Sequence, residues 1–158
     1  MPRLDLETRQ VRDVMTFHAV FVSPGGTVAH ALEVMNDNRV ASLPVVDNAN
    51  RCRGILSASD ILTLAEERGA DIERMSITEG IEQELLLEHF DSVDLSDTLV
   101  DDLMTPVPFD VAPEASLVEA AKRMTENDVH HLVVTERRDQ FLGIVSSMDI
   151  VRAVADAA

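Results

Sequence analysis

"GILSASD" occupies Gly54–Asp60 and "GIVSSMD" occupies Gly143–Asp149. Both strings read glycine, two apolar residues, serine, two variable residues, aspartate, and they lie 89 positions apart. Extending outward at that fixed offset, residues 11–62 align with 100–151 without a gap, and 17 of the 52 positions are identical. "VRDVMT" (Val11–Thr16) falls on "VDDLMT" (Val100–Thr105), Pro24 on Pro113, Met35 on Met124 and Leu43 on Leu132. Self-similarity at one fixed period marks a duplicated structural unit.

The unit follows from local chemistry. "AVFVSP" (19–24) and "PFDVAP" (108–113) alternate and stop at proline, which predicts strands. Thr27 and Ser116 follow as N-caps, with Glu119 placed to complete a capping box. Val28, Ala31, Leu32 and Met35, and likewise Leu117, Ala120, Ala121 and Met124, form the i, i+3, i+4, i+7 face of a helix. "LPVVD" and "LVVT" read as buried strands, "NANR" and "ERRDQ" as turns, and "CRGIL" and "FLGIV" as returning hairpin strands. A last helix starts at Ser57 and at Ser146. The expected fold is therefore mixed α/β (α+β), with strand–helix–strand–strand–helix used twice. A unit of roughly 50 residues buries too little surface to stand alone, so the two are expected to pack in pseudo-twofold symmetry.

The expected organisation is an N-terminal tail at 1–10, a first repeat at 11–65, an acidic helical insert at 66–99 and a second repeat at 100–158. Residues 66–102 hold thirteen acids against two arginines, which is most of the net charge of −16. Within the insert, "SITEGIEQELLLEHF" (76–90) predicts an amphipathic helix capped by Ser76. It reads either as a solvated connector or as a docking element for a partner or a second copy. The acidic balance argues against nucleic acid and against an anionic membrane surface as partners. No apolar run approaches the ~18 residues of a membrane span. The charged start "MPRLDLETRQ" has no apolar core of a signal peptide. The single cysteine, Cys52, has no internal partner for a disulfide, so the expected location is cytoplasmic.

The repeated string supports two readings. As structure, Ser-x-x-Asp after a strand is a capping box, with the aspartate complementing the helix dipole. As chemistry, a helix N-terminus attracts anions. An aspartate there accepts both hydroxyls of a ribose diol, and the serine hydroxyl serves a phosphate or ribose oxygen. Val20, Val22, Phe109 and Val111 on neighbouring strands offer an apolar slot for a base.

The ordered set "DVMT"/"DLMT", "NRVASLPVVD"/"NDVHHLVVT" and "GILSASD"/"GIVSSMD" resembles the CBS domain, and the tandem resembles a Bateman module. The resemblance covers nearly all of the chain outside the first ten residues and the acidic insert. It implies two clefts between paired repeats and a ligand such as AMP, ADP or ATP, with or without Mg²⁺, or another adenosyl compound. It implies that Asp60 and Asp149 hold ribose, that Ser57 and Ser146 assist at ribose or phosphate, and that Thr16 and Thr105 wall the base pocket. Met148 joins this ligand-binding set, beside Val22, Phe109 and Val111. His130 and His131 stand just before the apolar strand of repeat 2, where family members carry phosphate-facing basic groups; repeat 1 has Ala41 and Ser42 there. The Asp149 site is therefore expected to take a phosphorylated ligand ahead of the Asp60 site.

Adjacent strand histidines point to opposite faces, and no third ligand stands at metal spacing, so no metal site is expected. No nucleophile–base set, P-loop or GxGxxG is present, and Cys52 falls on Phe141, a packing position; an enzyme is not expected. The expected role is a regulatory module that signals to an effector protein in trans, as a homodimer. The alternative is a ligand-free scaffold acting through the insert.

Overall fold

The structure, a computed structural model, describes residues 5–68, 95–106 and 110–157. The expected helix at 76–90 and Phe109 lie outside the described residues. The described elements, in chain order, are β1 (Thr16–Phe17), α1 (Val28–Asn38), β2 (Ser42–Val46), β3 (Cys52–Ser57) and α2 (Ala58–Glu67). They continue with α3 (Val100–Leu103), β4 (Thr105–Pro106), β5 (Asp110–Val111), α4 (Leu117–Glu126), β6 (His131–Glu136), β7 (Gln140–Ser146) and α5 (Ser147–Asp156). Two short 3₁₀ turns, Asp5–Glu7 and Val11–Asp13, precede β1.

The helices form where periodicity and caps place them. Thr27 Oγ1 accepts from His30 N at 3.1 Å, and Ser116 Oγ accepts from Glu119 N at 3.1 Å. Only this half of the expected Ser116–Glu119 box forms. The chain around Ser116 is instead bridged to Gln10, with Leu117 N donating to Arg9 O at 3.0 Å. The expected strand before α1 is short: "AVFVSP" contributes a single parallel bridge, Val22 to Val45, while the described part of "PFDVAP" contributes β5. Val22 already spends both backbone groups, donating to Pro44 O and accepting from Val46 N, and the proline two residues later has no N–H to extend the ladder.

The chain divides into two compact units, and each draws on both sequence repeats. One comprises 1–19, 48–52 and 107–158; the other comprises 20–47 and 53–106. The first holds a four-stranded sheet in the order β1-β7-β6-β5, the second a three-stranded sheet in the order β2-β3-β4. The opening segment of each repeat therefore pairs with the closing strand of the other: Thr16 with Ile144, and Thr105 with Ile55.

The same exchange recurs at the helix starts. Val11 N donates to Ala115 O, and Val100 N to Gly26 O, each at 2.8 Å. The cores follow suit: Val11 packs with Leu117, Leu132 and Val145, while Val100 packs with Val28, Leu43 and Leu56. Residues 5–10, set apart as a tail in the sequence reading, join this exchange. Leu6 packs on the core of its unit as Leu95, 89 positions on, packs in the other.

The turn 48–52 of repeat 1 sits in the unit of repeat 2 and meets its hairpin. Cys52 N donates to Asp139 O at 2.8 Å, and Phe141 N donates to Asn50 O at 2.9 Å. Cys52 and Phe141 are both buried, in keeping with packing roles.

Candidate functional site

The glycine that opens each string is required by the exchanged strand. A Cβ on Gly143 would run into the carbonyl of Thr16 and come within 2.7 Å of Met15 Cε. On Gly54 it would run into the carbonyl of Thr105 and lie 2.9 Å from Met104 Sδ. The "MT" of one repeat thus lies across the glycine of the other, and close backbone approach leaves no room for a side chain.

Four residues later the strand becomes a helix through a full capping box. Ser146 Oγ accepts from Asp149 N at 3.1 Å, and Ser146 N donates to Asp149 Oδ2 at 2.8 Å. Ser57 and Asp60 repeat this at 3.2 and 2.9 Å. The structural reading of the string therefore holds in both units. The box uses Oδ2 only. In one unit Oδ1 of Asp149 lies 3.5 Å from Arg152 Nη1, and the Asp149 side chain is 15% exposed. In the other, Asp60 Oδ1 has no partner among the described residues.

Around Asp149 the structure gathers several of the expected residues. His131 is the register partner of Ser146 across β6 and β7. His130 accepts from Ser147 N through its carbonyl at 2.8 Å and is itself exposed. Burial pushes the His131 imidazole below its ordinary value, nearby His130 adds to the effect, and the Asp149 carboxylate opposes it. Met148 is exposed on the first turn of α5. Thr16, not Thr105, stands on the strand beside this string.

The Asp60 unit has the same skeleton with other side chains. Ala58 N donates to Ala41 O at 2.8 Å, the counterpart of Ser147 and His130. Ala41 and Ser42 stand where the histidines stand, and Thr105 flanks β3. Val22 and Val111 are 4% and 3% exposed and belong to the cores of their units. Among the described residues no group of three or more His, Cys, Asp or Glu could hold a metal.

Chemically, the Asp149 end of β7 combines a carboxylate acceptor, a serine hydroxyl, the His131 imidazole with His130 next to it, and the positive end of a helix dipole. That set suits a ligand with a diol and an oxyanion. The Asp60 end has the carboxylate and hydroxyl without the imidazoles.

Residues 11–67 and 100–156 each match the family model of the CBS domain. The chloroplastic CBS domain-containing protein CBSX1 of Arabidopsis thaliana is 33% identical over 137 residues, which cover 84% of this chain and 57% of that protein. The 5'-AMP-activated protein kinase subunit gamma-3 of Homo sapiens is 28% identical over 157 residues, 98% of this chain and 29% of that one. The crystal structure of CBSX2 in complex with AMP superposes with a TM-score of 0.70 at 28% identity, covering 93% of this chain and 96% of that one. The chain thus spans little more than half of one of these curated relatives and under a third of the other.

Proposed function

The chain belongs to the CBS domain family, and from that premise we propose that it is a regulatory module whose Asp149 site binds an adenine nucleotide (AMP, ADP or ATP) and signals to an effector protein in trans. One observation carries the reading: His131, Ser146 and Asp149 meet at the start of α5, with His131 in register with Ser146. The AMP complex of CBSX2, a relative of similar fold, supports the ligand class. The ribose diol meets Asp149, the phosphate meets His130 and His131, and Thr16 and Met148 border the base. Asp60 and Ser57, with Thr105 on the neighbouring strand, form the weaker site, for want of imidazoles. The role is regulatory rather than catalytic, in a cytoplasmic setting that keeps Cys52 reduced, and the active form is a homodimer. No helix among the described residues is long and apolar enough to cross a membrane.

A ligand that binds only the folded state, at 100 times its Kd, adds about 2.7 kcal/mol of stability. For a chain of this size that is a rise of roughly 5–10 °C in melting temperature. Melts with AMP, ADP, ATP and S-adenosylmethionine, each with and without Mg²⁺, therefore test the reading. A rise with an adenine nucleotide that Asp149→Ala abolishes is expected. A flat response to all four would favour the ligand-free scaffold.

A further inference from the structure

A second feature lies in the same unit, at the far end of β6 from His131 and Asp149. An open groove of about 430 Å³ is lined by Asp110, Glu114, Arg123, Thr135 and the hairpin turn from Glu136 to Asp139. Its floor is a polar network. Thr135 is 6% exposed, the buried polar residue among the described ones, and its hydroxyl donates to Asp110 Oδ2 at 3.0 Å. Arg123 donates to the Asp110 carbonyl and lies 3.7 Å from its Oδ1.

At offset 89 these three positions are Phe21, Val34 and Val46 in repeat 1. The fold is thus satisfied there by apolar residues. Repeat 2 carries a charged, hydrogen-bonded trio instead, an exchange that packing does not require and that demands mutual satisfaction of buried polar groups.

The turn has diverged in the same direction. Arg137 and Arg138 replace Asn48 and Ala49. Arg138 and Asp139 have φ of 57° and 64°, a left-handed pair that favours glycine or asparagine rather than arginine. Neither Arg137 nor Arg138 has an ion-pair partner among the described residues. Glu114 is held by Arg12 at 2.7 Å, and Asp110 by Arg123 and Thr135. Glu136 and Asp139 in the same turn offset much of the guanidinium charge, so the grip on an oxyanion comes from guanidinium hydrogen bonds to several oxygens rather than from net charge. Guanidinium forks match phosphate and carboxylate oxygens, and the volume is that of a small-molecule site.

We propose that this groove is a second ligand site, separate from the Asp149 cluster, that takes a small multivalent oxyanion through Arg123, Arg137 and Arg138. The test is a backbone NMR titration of the whole chain with inorganic pyrophosphate and, separately, citrate, at about 0.15 M salt, where weak surface attraction is screened. Saturable shifts at 110–114 and 135–139 are expected; the tighter probe distinguishes a phosphate-bearing from a carboxylate-bearing ligand. The variant Arg137→Asn/Arg138→Asn removes both guanidinium groups and sets at the left-handed position 138 a residue that tolerates it, so the turn is kept, as an unchanged melt checks. It should weaken binding about tenfold or more, the scale of losing a charge-assisted hydrogen bond. Asp149→Ala should leave the titration unchanged. Non-saturating shifts with both probes, shifts indifferent to the double variant, or shifts confined to Ser146–Asp149 and lost with Asp149→Ala would each overturn the proposal.

Discussion

The two units share one scaffold and differ in what they hang on it. Both close a strand with a glycine under the other repeat's threonine carbonyl, and both enter the last helix through a serine–aspartate box. The box is therefore a structural constant and does not itself discriminate a binding unit from a silent one. The difference lies beside it. The Asp149 unit has His130 and His131, while the Asp60 unit has Ala41 and Ser42. At the opposite end of β6 it also has Asp110, Arg123 and Thr135 where the other has Phe21, Val34 and Val46. The charged and ionisable side chains at these positions lie on one unit, and the other carries small or apolar residues there.

The shared part breaks first under substitution. Gly143→Ala and Gly54→Ala place a methyl against backbone that cannot yield locally, so each should lower stability by about 3 kcal/mol, the upper range of overpacking. Urea unfolding of both variants measures this; a loss under about 1 kcal/mol in either would mean the exchanged strands do not lie across the glycines. Ser146→Ala and Ser57→Ala should each cost about 1 kcal/mol, an ordinary N-cap loss. Equal costs would sharpen the view of the box as common architecture, and a cost confined to one unit would break it.

A smaller effect separates the units by pH. His131 is depressed in the folded state, so the unfolded chain binds more protons as pH falls below the ordinary histidine value. Its share of stability is complete above about pH 6.5 and is lost as pH falls through the lowered folded value. Melts from pH 8 to 5 should fall less in His131→Gln than in the parent protein. Parallel profiles would show that His131 is not buried against β7 as described.

The smallest effect is at Arg68, whose guanidinium lies 2.6 Å from Asp97 and holds its carboxyl below the usual range. The contribution is present above the ordinary carboxylate value and lost as pH falls through the lowered one. Because Asp97 is fully exposed, Arg68→Met should alter melting only slightly, and high salt should erase the difference. A salt-independent change would contradict the exposed pairing.

Much of this was legible in the sequence, for reasons that also mark where reading stops. The apolar periods at Val28–Met35 and Leu117–Met124, and the caps at Thr27, Ser116, Ser57 and Ser146, are local signals and fix local structure. The exchange of opening strands is not local. Both repeats carry "MT" and both carry the glycine, so the sequence cannot tell whether Thr16 serves Gly54 or Gly143. The part played by residues 5–10 did leave a trace: "DL" at Asp5–Leu6 falls on "DL" at Asp94–Leu95, and the gapless alignment extends backward through it. Val22 and Val111 share the alternation of slot-lining residues, but alternation does not say which face is the core. The Asp110–Arg123–Thr135 network leaves no signal in the identities of the repeat, because it consists of positions at which the two repeats differ.

Asp149, rather than Asp60, is the residue proposed to mark the nucleotide site. Calorimetric titration of AMP into the parent chain, Asp149→Ala and Asp60→Ala tests it directly. Binding is expected in the parent and in Asp60→Ala. In Asp149→Ala the affinity should fall by about tenfold to a hundredfold, the equivalent of ~1.5–3 kcal/mol for a lost charged hydrogen bond. Unchanged affinity in Asp149→Ala, or a greater loss in Asp60→Ala, would contradict it.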